Sequence, residues 1–250
     1  MKAESTAARV SEQARDSLAC RIAALDWNAI GSELAEFGCA RVRTLLGADE
    51  CADLRDFYAR DGLFRSTVVM ARHGFGRGEY RYFAYPLPAP VAELRTALYT
   101  RLAPIANEWS AMLASERRYP ARLDEYLARC HEAGQVRPTP LLLRYGAGDY
   151  NCLHQDLYGP LVFPLQLTVL LSAPGEDFSG GEFLLVEQRP RAQSRGEVVP
   201  LKQGEAVIFP VHHRPVDGTR GAYRVTMRHG VSRLHCGHRF TLGIIFHDAA

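Results

Sequence analysis

A His-x-Asp tripeptide stands in the second half of the chain, where Gln155 separates His154 from Asp156. On an extended strand the side chains at positions i and i+2 point to the same side, so this imidazole and this carboxylate could bind one metal ion. Two histidines and one carboxylate, with the remaining positions open, form the ligand set of non-haem Fe(II) oxygenases. The tripeptide alone is a weak signal, so other residues must supply a third ligand and a co-substrate site.

Two adjacent histidines in the run 205–215 are the candidates for the third ligand. If this run is one strand, alternation places His213 on the bulkier face with Phe209, and His212 on the opposite face. Because the bulkier face is the better lining for a barrel, we prefer His213. His212 remains the alternative, since Pro210 can break the alternation.

Arginines on the next predicted strand could hold a dicarboxylic co-substrate. Within 223–228, alternation places Arg224 and Arg228 on one strand face. A guanidinium on a rigid strand can bind a carboxylate through two parallel hydrogen bonds. Arg224 is the preferred group and Arg220 its rival, although an arginine on a strand is equally often part of a solvated face or a salt bridge.

A glycine-containing segment, 72–83, interleaves cationic and aromatic side chains. Such a surface could contact phosphates while it stacks a flipped or single-stranded base. The same segment could instead be a hairpin at the mouth of a barrel, with aromatic rings that complete the core. The residues concerned are Arg77, Tyr80, Arg81 and Tyr82.

The elements that must position these groups change in character after Pro138. Short strands then alternate with glycine and proline turns, which is typical of a sandwich or jelly roll. They are predicted at 141–145, 165–172, 181–186, 198–201, 206–211, 223–230 and 241–247. Apolar spacing before Pro138 predicts helices after Asp26, from Asp49, from Val91 and near Ala121, and a β-like stretch at 63–85.

The predicted fold class is mainly β with flanking helices, around a double-stranded β-helix (jelly-roll) core. We expect one structural domain in three parts: residues 1–62 form a helical and strand extension that packs on the core, residues 63–137 a substrate-facing hairpin with supporting helices, and residues 138–250 the jelly-roll core. A length of 250 residues suits such a single domain.

Composition gives information on nucleic-acid binding, redox compartment and membrane location. The net charge of +2 gives no strongly basic body of the kind that announces nucleic-acid binding. Of the 30 cationic residues only Lys2 and Lys202 are lysines, a bias that a GC-rich genome would also produce. The six cysteines form no CxxC pair, which favours a reducing compartment. With no apolar run of membrane-spanning length and no signal-peptide pattern, we predict a cytoplasmic location and no membrane partner.

Three parts of the sequence carry a resemblance to a known family. Arg144-Tyr145 followed by Leu153-His154-Gln155-Asp156 resembles the metal motif of the Fe(II)/2-oxoglutarate dioxygenases, and most closely that of the AlkB family of nucleic-acid dealkylases. The strand 224–228 is similar to the arginine strand of AlkB but two residues shorter, and 68–86 resembles its nucleotide-recognition flap. The likeness runs from about Leu63 to the C-terminus. The chain also resembles a bacterial group of oxygenases proposed to act on damaged nucleic acid.

The resemblance implies an enzyme that uses Fe(II), 2-oxoglutarate and O2. It implies that His154, Asp156 and His213 (or His212) bind iron, and that Arg224, Arg228 and Tyr145 hold 2-oxoglutarate, with Arg220 as the alternative arginine. It further implies that the substrate is damaged or single-stranded nucleic acid. Tyr158 stands where AlkB has an acidic residue that contacts the base, so stacking would replace the usual hydrogen bond.

Two other functions remain open. The chain could be a 2-oxoglutarate-dependent hydroxylase of a protein side chain or small metabolite, since Pro215-Val216 followed by Gly218-Thr219-Arg220 is similar to a motif of prolyl-hydroxylase relatives. A non-enzymatic binding module of cupin type is the other possibility. It would make the pairing of His154 with Asp156 incidental and leave the arginine strand without a role.

Overall fold

A computed structural model describes residues 17–219 and 221–250 of the chain. The N-terminal tail up to residue 16 and Arg220 lie outside the described residues. Short helices come first: α1 (Leu18–Ala23), α2 (Trp27–Phe37) and α3 (Ala48–Asp56). The Asp26 carboxylate caps α2 by accepting a hydrogen bond from the backbone N–H of Ala29 (3.0 Å), and Gly38 ends it with a φ of 79°. Both ends of α2 are as the sequence predicts.

Two further helices cover the larger of two sheets. Helix α4 (Ala89–Met112) and helix α5 (Leu123–Glu132) present apolar stripes that are buried in the main hydrophobic core. Because leucines recur at helical spacing along α4, one face of the helix is buried in this core. The buried positions of this stripe include Val91, Leu94, Leu98, Leu102 and Trp109.

The larger sheet is antiparallel and has seven strands in the order β1-β11-β7-β15-β5-β4-β2. Its strands are β1 (Ala40–Val42), β2 (Phe64–Val69), β4 (Glu79–Phe83), β5 (Leu141–Tyr145), β7 (Leu165–Leu170), β11 (Ala206–Pro210) and β15 (Arg239–Ile245). One face of this sheet packs on the helices. The other face contributes Val207 and Phe209 to a second apolar cluster.

The smaller sheet, also antiparallel, follows the order β10-β9-β13-β6-β3, and β12 pairs with β13 beside this path. Its strands are β3 (Gly76–Arg77), β6 (Tyr150–His154), β9 (Phe183–Gln188), β10 (Arg195–Val199), β12 (His213–Val216) and β13 (Tyr223–Val231). Phe183 and Leu185 of this sheet join the same second cluster, so the two sheets face each other. Strands β8 (Phe178–Gly180) and β14 (Leu234–Gly237) form a separate pair.

The prediction of a mainly β fold with flanking helices is confirmed, and several strand boundaries differ from the expected ones. Strand β11 ends at Pro210, and the chain then leaves the larger sheet and enters β12 of the smaller sheet at His213. Proline has no N–H to donate to a neighbouring strand, which favours a break at this point. The alternation of side chains along β11 therefore does not continue to His213.

Strand β13 has its inward face opposite to the face that carries the arginines. Val225, Met227 and His229 are buried, whereas Arg224 and Arg228 are exposed. Alternation assigns each set correctly to one face, and the apolar set is the one that covers the core. Of the helices in the described residues, none is both long and apolar enough to cross a bilayer.

Candidate active site

Three side chains lie together between the two sheets. The potential ligand atoms of His154, Asp156 and His229 are all within 4.8 Å of one another. The Nε2 atoms of His154 and His229 lie 3.6 Å and 3.3 Å from the two carboxylate oxygens of Asp156. This set has the two-histidine, one-carboxylate composition of a non-haem Fe(II) site.

Strand pairing accounts for the position of each member of this group. His154 ends β6 and pairs directly with His229 on β13, and their ring centroids are 4.2 Å apart. Asp156 follows two residues after His154, and the Gln155 side chain ties this segment to β13 by donating to the Met227 carbonyl oxygen (2.8 Å). The His-x-Asp segment is therefore held against the strand that carries the second histidine.

Hydrogen bonds orient the ligand atoms. The Nδ1 of His154 lies 2.8 Å from the carbonyl oxygen of Cys152, so Nδ1 carries the proton and the Nε2 lone pair is free for a metal. The Tyr158 hydroxyl donates to Oδ1 of Asp156 (2.6 Å), and the Tyr82 hydroxyl donates to that of Tyr158 (2.9 Å). Two tyrosines in series thus fix the carboxylate.

The electrostatics keep each group in the form that binds a metal. Burial alone would raise the pKa of Asp156, but the hydrogen bond from His229 and the charge of His154 hold that pKa below its ordinary value. Burial lowers the pKa of His229, with a further contribution from His154. The site therefore combines an ionised carboxylate with a neutral His229, the protonation states that metal binding requires.

A buried arginine faces the same cavity. Arg239 begins β15 with only 2% of its surface exposed, and it lines the cavity together with the His154–Asp156–His229 group. Its Nε and Nη1 atoms have no hydrogen-bond partner among the described residues. Burial lowers its pKa to about 10, so the guanidinium stays charged at neutral pH. An unpaired buried charge is costly, and a carboxylate ligand would satisfy it.

The sequence-based choices for the third ligand and for the co-substrate arginine need correction. His229, rather than His213 or His212, completes the metal group, because β11 ends before the two histidines. Both line a different cavity together with Arg224. Arg224 and Arg228 lie on the outward face of β13, opposite to the face of His229. Arg220, the alternative, lies outside the described residues.

Tyr145, which was expected to help hold 2-oxoglutarate, does line the cavity. It is fully buried, pairs across the strands with Arg239, and its ring lies 5.6 Å from the Arg239 guanidinium carbon. Its hydroxyl accepts a weak hydrogen bond from Asn151 (3.4 Å). The sequence analysis thus selected Tyr145, which lines this cavity, and did not select its cross-strand neighbour Arg239.

The residues expected to contact substrate occupy different environments. Arg77 is exposed on β3, which pairs with β6, and its Nε lies 3.8 Å from Oδ1 of Asp149. Arg81 is engaged elsewhere, since it pairs with Asp61 (2.7 Å) and stacks over Tyr58. Tyr82 is buried, Tyr80 packs edge-on against it, and Tyr158 directs its hydroxyl to Asp156. The Arg77 side chain is therefore paired with Asp149 but remains accessible to a ligand, and Tyr158 and Tyr82 lie behind the metal group.

Two signals in the sequence could have identified His229 and Arg239. On β13, His229 alternates with the apolar Val225 and Met227, which marks it as inward-facing. On β15, Arg239 lies on the same strand face as Thr241 and Gly243. The opposite face of this strand is apolar. In both strands a polar residue lies on the inward face. A polar residue at such a position indicates a polar cavity rather than a solvated surface.

The chain matches a family model over residues 78–249, and the description of that family is "Oxygenase, catalysing oxidative methylation of damaged DNA". It belongs to this oxygenase family. Two proteins of Mycobacterium tuberculosis, Uncharacterized protein MT2286 and Uncharacterized protein Rv2227, are each 53% identical to it over 168 residues. The alignment covers 67% of this chain and 72% of each relative.

Solved structures show the same fold at low sequence identity. A prolyl-4-hydroxylase from Pseudomonas putida is 14% identical, with a TM-score of 0.53 and coverage of 87% of this chain and 96% of that one. An oxidoreductase of the 2OG-Fe(II) oxygenase family from Burkholderia pseudomallei is 15% identical, with a TM-score of 0.53 and coverage of 91% and 94%. The predicted jelly-roll core is confirmed.

The prediction of an oxygenase is confirmed by the family match, and the His–Asp–His group lies on a fold shared with a protein of the 2OG-Fe(II) oxygenase family.

Proposed function

We propose that His154, Asp156 and His229 bind Fe(II) and that this oxygenase acts on alkylated nucleic acid. The observation that carries the proposal is the His–Asp–His group in one cavity with the unpaired guanidinium of Arg239. The donor set fits the metal, because two neutral imidazoles and a carboxylate suit Fe(II) and leave open positions. Within the described residues, no other cluster of three or more such side chains could hold a metal.

Arg239 and Tyr145 would hold 2-oxoglutarate. The unpartnered Nε and Nη1 atoms of Arg239 offer two donors that match the far carboxylate of the keto acid. Because the guanidinium is buried, its attraction for a carboxylate is stronger than at a surface. Tyr145 lies beside it and can donate its hydroxyl to the same carboxylate, since that hydroxyl now only accepts a long hydrogen bond from Asn151.

When bound, Fe(II) would activate O2, so that one oxygen atom oxidises 2-oxoglutarate to succinate and CO2 and the other is inserted into a substrate C–H bond. The residues of this chain place the reactants and exclude water. His154 keeps its proton on Nδ1, bonded to the Cys152 carbonyl. Tyr158 and Tyr82 hold the orientation of Asp156 by donating in series.

Insertion of an oxygen atom into an N-alkyl group would remove that group from a damaged base. Hydroxylation of the carbon bonded to a base nitrogen gives an N-hydroxyalkyl group, which breaks its C–N bond to release an aldehyde and the free base. An oxygenase supplies oxygen and no methyl group. For this reason we propose removal of a methyl or other alkyl group, although the description of the family speaks of methylation.

The surface beside the metal-bearing strand supports a nucleic-acid substrate. Strand β3 pairs with β6, and the exposed ring of Phe75 stacks with that of His73 at 5.3 Å. Tyr150, on β6, is also exposed, and Arg77 adds a cation. Aromatic faces next to a cation suit an unpaired base and its phosphate. The family description, which names damaged DNA, supports the same substrate class.

The test is the release of succinate by the Fe(II)-loaded protein with a panel of single-stranded oligonucleotides that carry different methylated bases. We expect one or more methylated oligonucleotides to stimulate release above the level with the unmethylated oligonucleotide, and formaldehyde to appear in equal amount. Stimulation should fall steeply as salt rises, because phosphate contacts release counterions. If no methylated oligonucleotide stimulates release, the substrate part of the proposal fails while the metal site can still be measured spectroscopically.

A further inference from the structure

A second cavity, of about 400 Å³, lies outside the sheet that carries His229. We call it the outer cavity. Its walls are the C-terminal end of α4, the segment 115–119, the segment 157–164 and strand β12. Its volume falls within the range of about 300–1,000 Å³ that is common for small-molecule pockets. The residues that line it do not include those of the metal group.

The outer cavity has cationic groups and no carboxylate in its lining. Arg117 and Arg224 are the cationic residues of this lining, His212 and His213 add ring nitrogens that can form hydrogen bonds, and none of the described lining residues is acidic. The two imidazoles stack with ring centroids 3.4 Å apart. In addition, no ion pair of Arg117 or Arg224 is found among the described residues. A site with this charge favours an anion.

Apolar and aromatic residues supply most of the remaining lining, together with Ser110 and Ser115. Trp109 and Leu113 of α4 form one wall, and Leu157 and Val162 form another. The cavity therefore offers a cationic end and an apolar wall, which together match a phosphate joined to a planar ring.

Hydrogen bonds hold the walls of this cavity in place. The Asn107 side chain bonds both the backbone N–H and the carbonyl of Tyr119, at 2.8 Å and 2.9 Å. The Tyr119 hydroxyl in turn donates to the carbonyl of Val162 (3.1 Å). The segment 157–164 is anchored from its other side by Gln135, which bonds both the N–H and the carbonyl of Leu161. The pocket is preformed, so a ligand would not have to order it.

The outer cavity and the metal cavity share a wall. Asp156 lines the metal cavity, and the next residue, Leu157, lines the outer cavity with 46% of its surface exposed. On strand β13, His229 pairs with His154, and Thr226 pairs with His213. A separation of three residues corresponds to about 10 Å along a strand. Stacked nucleotides rise about 3.4 Å each, so the two cavities lie within a few nucleotides of each other.

We propose that the outer cavity binds a nucleotide of the substrate strand that flanks the nucleotide under attack, with its phosphate at Arg224, His212 and His213 and its ring against Trp109. This inference rests on the proposed nucleic-acid substrate and adds the group that holds the strand. Arg224 thus has a ligand-binding role in the outer cavity rather than at 2-oxoglutarate.

Tryptophan fluorescence provides the test, because the chain has only two tryptophans. Trp27 lies on α2, away from the outer cavity, and a Trp27→Phe variant leaves Trp109 as the sole reporter. The full chain in this background is titrated with AMP, adenosine, inorganic phosphate and an unmethylated oligothymidylate. We expect AMP and the oligonucleotide to change Trp109 emission, and adenosine or phosphate alone to bind at least tenfold more weakly.

Arg224→Gln is compared with Arg228→Gln, which removes an exposed arginine from the same strand face but does not line the cavity. Arg224→Gln should weaken AMP and oligonucleotide binding about tenfold and reduce the salt slope by about one, whereas Arg228→Gln should weaken it less than twofold. Equal effects of the two substitutions, or no response of Trp109 to either ligand, would overturn the proposal. Binding of AMP without competition by the oligonucleotide would also overturn it, since the site would then serve a free nucleotide.

The fluorescence titration needs no turnover and can be repeated with a His154→Ala protein. A Trp109 response in a protein that no methylated oligonucleotide stimulates would support the outer cavity while the substrate proposal fails. Stimulated succinate release without a Trp109 response would leave the substrate proposal intact and reject the outer cavity.

Discussion

The metal cavity and the outer cavity both contain histidine and arginine, and strand β13 contributes His229 to the first and Arg224 to the second. In the metal cavity His229 and Arg239 are 8% and 2% exposed. In the outer cavity His213 is half-buried and Arg224 is exposed. The difference is one of strand face: His229 points between the sheets, and Arg224 points away from them.

This difference in burial decides what each cavity can do. Between the sheets the low dielectric strengthens the attraction of a guanidinium for a carboxylate, and an unpaired charge there is costly without a ligand. At the outer face water screens the same charges, so Arg224 can bind an anion reversibly but cannot fix it rigidly. The inner pair of residues suits a metal and a co-substrate, and the outer pair suits a substrate strand that must be released.

The largest effect is expected from replacing His229, with the same substitution at His213 as the comparison. His229→Ala should abolish iron binding and 2-oxoglutarate turnover, because it removes one of three ligands from a buried site. His213→Ala should keep the charge-transfer absorbance that forms when ferrous salt and 2-oxoglutarate are added without oxygen. The measurement is that absorbance, with thermal melting to verify folding. The reverse ranking would return the third ligand to β12.

The arginines give the next comparison. Arg239→Gln should raise the KM for 2-oxoglutarate roughly 100-fold, since charge-assisted hydrogen bonds contribute about 1.5–3 kcal/mol each. Arg224→Gln should raise that KM far less, because its side chain lies on the opposite face of the sheet. Steady-state succinate release at varied 2-oxoglutarate measures both. Arg239→Lys serves as the control, since it keeps the charge but loses the two-pronged geometry and should recover only part of the loss.

The sequence analysis identified two residues of the metal cavity and missed two others, and both results have the same physical cause. His154 and Asp156 were identified because local spacing alone brings them together. His229 and Arg239 depend on which strands pair across the sheets, and that pairing is not written in local spacing. Alternation correctly placed Arg224 and Arg228 on one face of β13, but these arginines were assigned to the co-substrate site although the apolar residues, on the other face, are the buried ones.

The same distinction holds for the elements of the fold. Helices α2 and α4 were predictable because caps and apolar stripes are local signals. The short strands β8, β12 and β14 were not predicted, since strands of three or four residues are held mainly by their partners. Pro210 was recognised as a possible break in alternation, and the structure makes it the end of β11.

A third comparison concerns pH. Burial lowers the pKa of His247 to about 4, and its Nδ1 accepts a hydrogen bond from the backbone N–H of Phe163 (3.3 Å). Between this pKa and the ordinary value of about 6.5 the unfolded chain binds a proton at His247 and the folded chain does not. The free energy of unfolding therefore falls as pH drops below about 6.5. Between pH 7 and pH 5 this residue should reduce the free energy of unfolding of the metal-free protein by about 2 kcal/mol.

Urea unfolding at several pH values checks this expectation. His247→Gln, which can still accept the hydrogen bond, should remove that share of the pH slope. His213→Gln should remove less, although burial lowers the pKa of His213 to about 4 as well, because solvent screens the half-buried ring of the outer cavity. An unchanged slope in His247→Gln would mean that other groups carry the dependence.

The smallest effects are expected from the two tyrosines behind the metal group, and Tyr158→Phe should give the larger of the two. This change removes the 2.6 Å hydrogen bond to Oδ1 of Asp156 and leaves the ring in place. The hydroxyl stays protonated near neutral pH, because burial and the Asp156 charge both raise the pKa of Tyr158. Residues that orient a metal ligand typically change metal affinity 10- to 100-fold, and we expect about tenfold weaker Fe(II) binding at the lower end of that range.

Comparison with Tyr82→Phe shows whether Tyr158 orients Asp156 or contacts the substrate. Tyr82 donates to Tyr158 and does not touch Asp156, so its loss should weaken Fe(II) binding less than the loss of the Tyr158 hydroxyl. If Tyr158 acted by stacking on a base, Tyr158→Phe would keep both iron affinity and oligonucleotide binding, since phenylalanine stacks equally well. Weakened iron binding with intact oligonucleotide binding is the result that assigns Tyr158 to the metal cavity, because only a residue bonded to Asp156 can produce it.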